Sequence, residues 1–363
     1  MGFNALVQSL AARLPVWCGQ PVQPVEWELE MSVTNNQFHP TVHVGSGLWV
    51  LGLCGALAAA TLAPERADAV EGGAGFYILG SRTTMGGAVP PPGTYFMQQF
   101  YGFDGNSTTN VTGANGNLLL DFDASAFVSL STVIWAPDMA PIMGGRPYFL
   151  AVLPVGNKSV SASGIVTGPG GGVLSGAVSD DNTVIGDPVL GGGLGWGAGP
   201  WFSSLNVLVN VPVGEYDASR VANVAFNRWA TDITGALTWI DPASGWQADL
   251  ALGVTFNGNN DDTDYHSGDE FHLEAAVMKT FANGLSAGLQ GYYYEQINGD
   301  SGSGAVLGDF EGQVSAIGPA IAYTAEISGI PVSFEARFFH EFDARNRIPG
   351  DTFLFNVSFP LGL

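Results

Sequence analysis

WQADLALGVTFN, residues 246–257, is the stretch that decides the fold, because every second residue from Trp246 to Phe256 is apolar. The residues between them, such as Asp249 and Thr255, are small or polar. Successive side chains of a β-strand point to opposite faces. The stretch therefore predicts a strand with one apolar face and one wet face.

The same alternation continues through residues 271–281 and 285–296. A polar loop, residues 258–268, precedes the first of these stretches, and the tight turn Ala282-Asn283-Gly284 separates the two. Strands of about ten to twelve residues, joined in turn by long polar loops and short turns, are typical of transmembrane β-barrels. The remaining chain supplies nine more candidate strands, at residues 95–103, 124–136, 148–155, 189–198, 205–213, 229–239, 314–327, 332–340 and 353–361.

We therefore predict an all-β fold, a transmembrane antiparallel β-barrel of about 12 strands over residues 94–363, with both chain ends on one side. Residues 106–117 are predicted to be a polar loop. Residues 156–187 are compatible with a hairpin that extends beyond the membrane or with a loop folded into the lumen. A soluble two-sheet sandwich is the alternative fold, since alternation fits both. An export signal, an aromatic last strand, and Trp and Tyr near strand ends favour the barrel.

The chain begins with a segment that we do not expect in the mature fold. Residues 47–62 form an apolar run, shorter than the roughly 20 residues of a membrane-spanning helix, and Ala67-Asp68-Ala69 follows it. This pattern predicts a signal peptide with cleavage after Ala69, and residues 1–69 as an N-terminal extension and signal peptide. A buried helix is the alternative for the run. A later start, at Met31, and an unexplained extension both remain open for residues 1–46.

Composition excludes several classes of function. Both cysteines, Cys18 and Cys54, precede the predicted cleavage site, so we expect no disulfide or thiolate chemistry in the mature protein. A net charge of −22 repels phosphate backbones, so nucleic acid is not an expected partner. We predict no cofactor and no metal site, although the acidic loop at residues 259–264 is either a calcium-binding loop or a solvated one.

Polar residues on the wet strand faces are predicted to line the lumen, where charges are tolerated and tune which solutes pass. These candidates are Asp249, His272, Glu274, Gln290, Tyr292, Tyr294, Glu335 and Arg337. Arg337 is expected to pair with Glu335 and Glu341. His272 and Glu274 could form a proton relay or merely line a wet pore, and no nucleophile motif accompanies them, so we do not expect an enzyme. The two tyrosines either offer aromatic contacts to a solute or pack across strands.

Glycines and prolines fill residues 70–93, which excludes a regular strand. Irregular backbone at membrane depth is tolerated only inside a lumen. We therefore predict that residues 70–93 form a lumenal plug or gate, with Pro90, Pro91 and Pro92 as possible gate residues.

Several short motifs also occur together across the chain. They are EGG at 71–73, LGS at 79–81, PPPGTYF at 90–96, VPVGEYD at 211–217, DTDYHSG at 262–268, QGYY at 290–293 and IGP at 317–319. In these motifs the chain resembles the outer-membrane transporter family named for the phenol meta-degradation pathway (SphA-like). The resemblance implies a Gram-negative outer-membrane channel that contacts lipid and takes up small hydrophobic, aromatic compounds passively.

Two other classes of function remain alternatives at this stage. One is a non-transporting structural or adhesive barrel with acidic surface loops, and the other is an outer-membrane hydrolase. The substrate, the pore size and the oligomeric state are left open by the sequence.

Overall fold

The computed structural model describes residues 71–73, 75–113, 116–167, 173–305, 308–309 and 311–362. The predicted extension and signal peptide, residues 1–69, lie outside this range, as does the predicted cleavage position after Ala69. One short 3₁₀ turn, Glu71–Gly73, precedes the strands. No helix within the described ranges is long and apolar enough to cross a membrane.

The strands are numbered in chain order. They are β1 Gly93–Gly113, β2 Gly116–Ala136, β3 Arg146–Thr167, β4 Val173–Ile185, β5 Val189–Ala198, β6 Trp201–Asn210, β7 Ala230–Asp241, β8 Trp246–Asn257, β9 Asn259–Asn260, β10 Tyr265–His266, β11 Glu270–Thr280, β12 Ser286–Gln296, β13 Gln313–Ile327, β14 Ile330–Arg345 and β15 Gly350–Pro360.

Twelve of these strands close into an antiparallel barrel. Neighbours around the wall are neighbours in sequence, and the circle closes where β1 pairs with β15, for example at Phe100 and Phe355. The remaining strands lie outside the circle, since β4 pairs only with β3, and β9 with β10 forms a small hairpin in a loop. Closure confirms the predicted barrel and excludes the sandwich, which would leave two separate sheets.

The two ends of the barrel differ in the length of their connections. Turns 199–200, 242–245, 281–285 and 328–329 lie at one end, together with the start of β1 and the end of β15; we call it the short-turn end. Loops 211–229, 258–269 and 297–312 lie at the other, the long-loop end. In outer-membrane barrels the short turns face the periplasm and the long loops face outward.

The first two hairpins are longer than the sequence predicted. β1 and β2 have 21 residues each, and the predicted loop 106–117 is wrong because most of it continues these strands. There Thr108 Oγ1 donates to Asp121 Oδ1 at 2.8 Å across the pair. Beyond the membrane both faces of a strand meet water, so the apolar alternation that marks a strand disappears. Of the two alternatives for residues 156–187, the structure has the hairpin, formed by β3 and β4.

The outer surface of the barrel is an apolar belt. Its exposed side chains include Phe127, Leu153, Leu190, Leu205, Ile233, Leu237, Leu250, Leu252, Val277, Leu289, Ile317, Ile321 and Phe353. Aromatic pairs stand near the short-turn end, with ring centroids 5.7 Å apart for Trp135 and Phe149 and 6.4 Å apart for Trp201 and Trp239. An apolar belt with aromatic residues at its border is the lipid-facing surface of a transmembrane barrel, and it places the protein in the outer membrane.

Candidate functional site

The chain before β1 runs through the barrel from the long-loop end to the short-turn end. At the long-loop end the Glu71 carboxylate accepts hydrogen bonds from Asn260 Nδ2 at 2.8 Å and from Thr263 Oγ1 at 2.7 Å. Near the short-turn end the Pro90 carbonyl accepts one from Arg146 Nη1 at 3.2 Å. We call residues 71–92 the lumenal segment.

Carboxylates of the barrel wall hold the backbone of the lumenal segment. Glu274 Oε1 accepts from the Gly80 N–H at 2.9 Å, and its Oε2 accepts from the Arg82 N–H at 2.7 Å. Asp249 Oδ1 accepts from the Met85 N–H at 2.9 Å. An irregular segment cannot pair its own N–H groups, so these buried carboxylates replace the partners that a strand or helix would provide.

Arg337 holds the carbonyl groups of the same segment. Its Nη1 donates to the Gly80 carbonyl at 3.0 Å and to the Ser81 carbonyl at 2.8 Å, and its Nη2 donates to Thr84 Oγ1 at 2.6 Å. Nη2 also lies 2.6 Å from Glu335 Oε2, and Thr84 donates to the other oxygen of that carboxylate. The guanidinium therefore joins strand β14 to three residues of the lumenal segment.

Neutral polar groups add further contacts. Thr83 Oγ1 donates to Gln290 Oε1 at 2.6 Å, and Ser204 Oγ donates to the Gly86 carbonyl at 2.7 Å. The eight residues predicted to line the lumen all lie on the inward face, and all except Glu335 are buried. Asp249, Glu274, Gln290, Glu335 and Arg337 form hydrogen bonds with the lumenal segment. His272 meets the segment through a ring contact, and Tyr292 and Tyr294 have partners elsewhere.

The proton relay, one of the two alternatives for His272 and Glu274, has no direct hydrogen bond between these two side chains to support it. His272 Nε2 instead lies 2.9 Å from Asp232 Oδ2 on β7, and the Tyr77 ring stacks on the imidazole with centroids 3.7 Å apart. Gly253 stands between the two strands, and a Cβ there would meet His272 Nε2 and Thr234 Oγ1 at 2.5 Å. The missing side chain lets His272 reach Asp232, a contact that only the strand register reveals.

Of the two predicted partners of Arg337, Glu335 is confirmed and Glu341 is wrong. Glu341 pairs with Arg347 at 3.2 Å and accepts from the Tyr292 hydroxyl at 2.7 Å. Arg347 also lies over the Tyr294 ring, 5.2 Å from its centroid. Residues 335, 337 and 341 lie on one strand face, but about 13 Å of strand separates Arg337 from Glu341. The two tyrosines thus belong to a second ion-pair cluster near the long-loop end.

A cavity of about 390 Å³ lies beside the lumenal segment, in the long-loop half of the barrel. Most of its wall is apolar. The apolar lining comes mainly from the lumenal segment, from β1 to β3 and from loop 211–229, and includes Phe76, Leu79, Tyr101, Phe103, Phe122, Ala126, Val128, Leu130, Val160, Val224 and Phe226. Polar residues of the other strands and loops complete it, among them Glu270, Tyr292, Tyr294, Glu341 and Arg347. Sequence analysis missed this cavity, because apolar residues that face the lumen cannot be told from residues that face lipid.

Asp187 fixes the loop that closes the cavity at the long-loop end. This buried residue lies between β4 and β5, and its Oδ2 accepts from the Phe226 N–H at 2.8 Å and the Asn227 N–H at 3.1 Å. Its Oδ1 accepts from the Gly214 N–H at 2.8 Å. One carboxylate therefore ties both ends of loop 211–229 to the wall.

Tyr216 joins the same loop to the start of the lumenal segment. Asn260 Nδ2 donates to its hydroxyl at 2.9 Å, and that hydroxyl donates to Glu71 Oε1 at 3.4 Å. Burial, and then the nearby Glu71 carboxylate, raise the pKa of the Tyr216 hydroxyl to about 12. The hydroxyl therefore stays protonated near neutral pH.

Carboxylates of the acidic loop at residues 259–264 contact protein donors. Asp262 Oδ2 accepts from Asn227 Nδ2 at 3.0 Å, and Asp264 Oδ2 accepts from the Ser303 N–H at 3.1 Å. Within the described ranges, no group of three or more His, Cys, Asp or Glu side chains is arranged to hold a metal ion. Calcium binding by this loop has no geometric support among these residues.

Comparison with solved structures shows the same fold in a known channel. Over 78% of this chain and 98% of that one, the structure resembles the COG4313 outer membrane channel from Pseudomonas putida F1, with a TM-score of 0.53 and 14% identity. The NanC porin matches over 72% of this chain and 100% of its own, with a TM-score of 0.35 and 10% identity. OccK1 from Pseudomonas aeruginosa matches over 74% and 98%, with a TM-score of 0.28 and 10% identity.

Comparison with sequences gives one family. No curated protein matches the chain. Residues 103–357 match the model of the Phenol_MetA_deg family, described as "Putative MetA-pathway of phenol degradation". This match covers most of the barrel, from β1 into β15. The chain therefore belongs to the Phenol_MetA_deg family.

Proposed function

We propose that the protein is a passive outer-membrane channel for small hydrophobic compounds, with aromatic compounds as its main cargo. The observation that carries this proposal is the apolar cavity between the lumenal segment and strands β1 to β3. Ligand sites for small molecules are mostly apolar, with a few fixed polar groups. A cavity of this composition inside a membrane barrel favours solutes that leave water readily.

The polar half of the lumen supports the same conclusion by a different route. Its carboxylates, amides and guanidinium are bonded to the lumenal segment, as Glu274, Asp249 and Arg337 show. A hydrophilic solute would have to compete with these buried hydrogen bonds for its partners. The segment therefore acts in this proposal as a plug against water-soluble compounds.

We place the gate in the lumenal segment as a whole. Its last part, Pro90 to Pro92, lies at the short-turn end, where the Tyr95 hydroxyl donates to the Pro91 carbonyl at 3.0 Å and Pro91 and Pro92 are exposed. Proline fixes its own backbone angle, so this part is a stiff link between the plug and β1. Movement of the plug would open a path from the cavity toward the periplasm.

Uptake of radiolabelled naphthalene by a porin-deficient Gram-negative strain tests the proposal. Cells that express the protein should accumulate naphthalene faster than cells with the empty vector, because the lipopolysaccharide leaflet slows entry of apolar molecules. Outer-membrane fractionation and a gel shift on boiling would verify that the folded barrel is present. Equal uptake in both strains, with the folded barrel present, would overturn the transport proposal and favour a structural or adhesive barrel.

A further inference from the structure

We propose that the apolar cavity receives molecules that carry a carboxylate, and that Arg228 binds this group. The inference rests on the proposed function and deepens it, since it names the chemical class of the solute. It starts from a buried cation at the long-loop end of the cavity wall, next to the aromatic residue Phe226.

Arg228 is buried, with 1% of its surface exposed. Its Nε donates to Asn257 Oδ1 at 3.2 Å, but Nη1 and Nη2 have no hydrogen-bond partner among the described residues. A guanidinium keeps its charge at every physiological pH, and buried N–H groups without partners are costly. Two nitrogens without partners on one planar fork match the two oxygens of a carboxylate.

The other arginines on the cavity wall already have carboxylate partners. Arg347 Nη2 lies 3.2 Å from Glu341, and Arg220 Nη2 lies 2.7 Å from Asp180. Both guanidinium groups are therefore neutralised within the protein. Arg228 differs from them because no described carboxylate forms an ion pair with it.

One carboxyl group on the same wall, Glu270, has a different partner. Its Oε1 accepts from Asn257 Nδ2 at 2.8 Å, and Asn257 in turn accepts from Arg228 through its Oδ1. The Asn257 side chain therefore links Glu270 and Arg228 by hydrogen bonds. The terminal nitrogens of Arg228 are buried without a hydrogen-bond partner, and the residue lines the cavity.

The position of Arg228 is fixed from both sides. The Asp187 carboxylate holds the N–H groups of the two preceding residues, and Asn210 Nδ2 donates to the Arg228 carbonyl at 2.9 Å. The guanidinium carbon lies 5.4 Å from the centre of the Phe226 ring. A site whose loop is already ordered loses less entropy on binding, and an apolar surrounding strengthens a charged hydrogen bond.

The geometry points to an occupant with two parts. A carboxylate would pair with Arg228, and an apolar body would lie against the cavity wall formed by Phe122, Val128, Leu130 and Val160. Small aromatic and short aliphatic acids combine these parts. A neutral molecule of the same shape would fill the cavity but leave the guanidinium without a partner.

Three probes with the same apolar body and different head groups test the inference. The full-length protein in lipid nanodiscs would be titrated by calorimetry with phenylpropionate, phenylpropanol and phenylpropylamine, and empty nanodiscs would correct for partition into lipid. A hydrogen-bonded charge pair is expected to make the acid bind at least about tenfold more tightly than the alcohol, with the amine weakest. Equal dissociation constants for acid and alcohol would overturn the inference.

A pair of matched variants locates the effect. Arg228→Met should abolish the preference for the acid while phenylpropanol binds as before, whereas Arg220→Met, on the same cavity wall but with its guanidinium paired to Asp180, should keep the preference. A gel shift on boiling would verify that each variant folds. Retention of the preference by folded Arg228→Met would refute the role of Arg228, and if that variant does not fold, the wild-type comparison of the three probes still decides.

Failure of this inference can be separated from failure of the proposed function. If acid and alcohol bind equally while naphthalene uptake persists, the channel proposal stands and the carboxylate site falls. If the acid binds preferentially but expression does not increase naphthalene uptake, the site stands and passive transport of neutral aromatic compounds falls.

Discussion

The lumen has two walls, and the polarity of their inward faces differs. On β7, β8, β11, β12 and β14 the inward face is polar, and its side chains bind the backbone of the lumenal segment, as Glu274 and Arg337 do. On β1 to β3 much of the inward face in the long-loop half is apolar, and the cavity remains beside it. In the proposed function, this difference closes the barrel to hydrophilic solutes and leaves room for apolar ones.

Physical chemistry explains why the two walls complement each other. Buried polar side chains need partners, and an irregular segment has backbone groups that also need partners. On the polar wall, the side chains and the backbone groups of the segment form hydrogen bonds with each other. On the apolar wall, the hydrogen bond from Arg146 to the Pro90 carbonyl lies at the short-turn end. The apolar side chains of its long-loop half offer the segment no hydrogen bonds, which leaves space there for a solute.

Removal of residues 71–90 should have the largest effect on this arrangement. If residues 71–90 plug the lumen as proposed, their removal leaves the polar wall facing a water-filled lumen. We then expect the rate of liposome swelling in arabinose to rise severalfold over that of the intact protein. Liposomes with equal amounts of heat-modifiable protein provide the comparison. Unchanged swelling would show that residues 71–90 do not block the lumen.

Removal of the Arg337 cation from the polar wall should have the second-largest effect. Arg337→Met leaves the Glu335 carboxylate and two carbonyl groups of the lumenal segment without their partner. Breaking a buried ion pair costs about 3–5 kcal/mol, so the free energy of unfolding by urea in lipid vesicles should fall by that amount.

Arg345→Met on the same strand is the matched control for this variant. Arg345 is exposed and lies 3.8 Å from Glu295, so its loss should cost about 0–1 kcal/mol. Equal costs for Arg337→Met and Arg345→Met would mean that Arg337 does not anchor the lumenal segment.

A smaller effect is expected from Glu274→Gln. The amide oxygen can accept only part of what the carboxylate accepts from the Gly80 and Arg82 N–H groups, and without a charge. Exchange of a charged for a neutral hydrogen bond costs about 1–2 kcal/mol, measured by the same unfolding experiment. Glu326→Gln, an exposed position on β13, is the control and should change little. An unchanged free energy of unfolding in Glu274→Gln would show that other contacts hold the segment.

Tyr216→Phe should have the smallest effect, since it removes only the hydroxyl that Asn260 and Glu71 share. We expect a loss of about 1 kcal/mol near neutral pH. Because the pKa of this hydroxyl is raised from 10.0 to about 12 in the folded state, the unfolded chain ionises first as the pH rises between these values, and stability falls. The fall should be shallower in Tyr216→Phe than in the wild type, and identical slopes would contradict this assignment.

How much the sequence predicts differs between the two walls for a physical reason. Strands β8, β11 and β12 alternate strictly, so their extent and their inward residues, such as Asp249 and Glu274, follow from the pattern. On β2, Phe127 faces lipid and Val128 faces the cavity, so both faces are apolar and the alternation gives no direction. The inward face of the apolar wall therefore cannot be predicted from the sequence pattern.

Contacts between residues that are far apart in the chain also could not be predicted from the sequence. His272 meets Asp232 only because the register places Gly253 between them. Arg228 lies in a loop without periodicity, and the local signal for it is a single cation between Phe226 and Trp229 in a chain with 11 Lys and Arg residues. Such a signal indicates a buried cation only once the fold is known.

Naphthalene uptake by two alanine variants tests the central claim, that apolar solutes pass through the cavity, most directly. Ala126 lines the cavity on β2, whereas Ala151 on β3 is exposed on the outer surface, where a larger apolar side chain would meet lipid. Ala126→Phe should lower uptake toward the level of the empty vector, and Ala151→Phe should leave it unchanged. If both variants, present as folded barrels in equal amounts, take up naphthalene at the wild-type rate, the cavity is not the route.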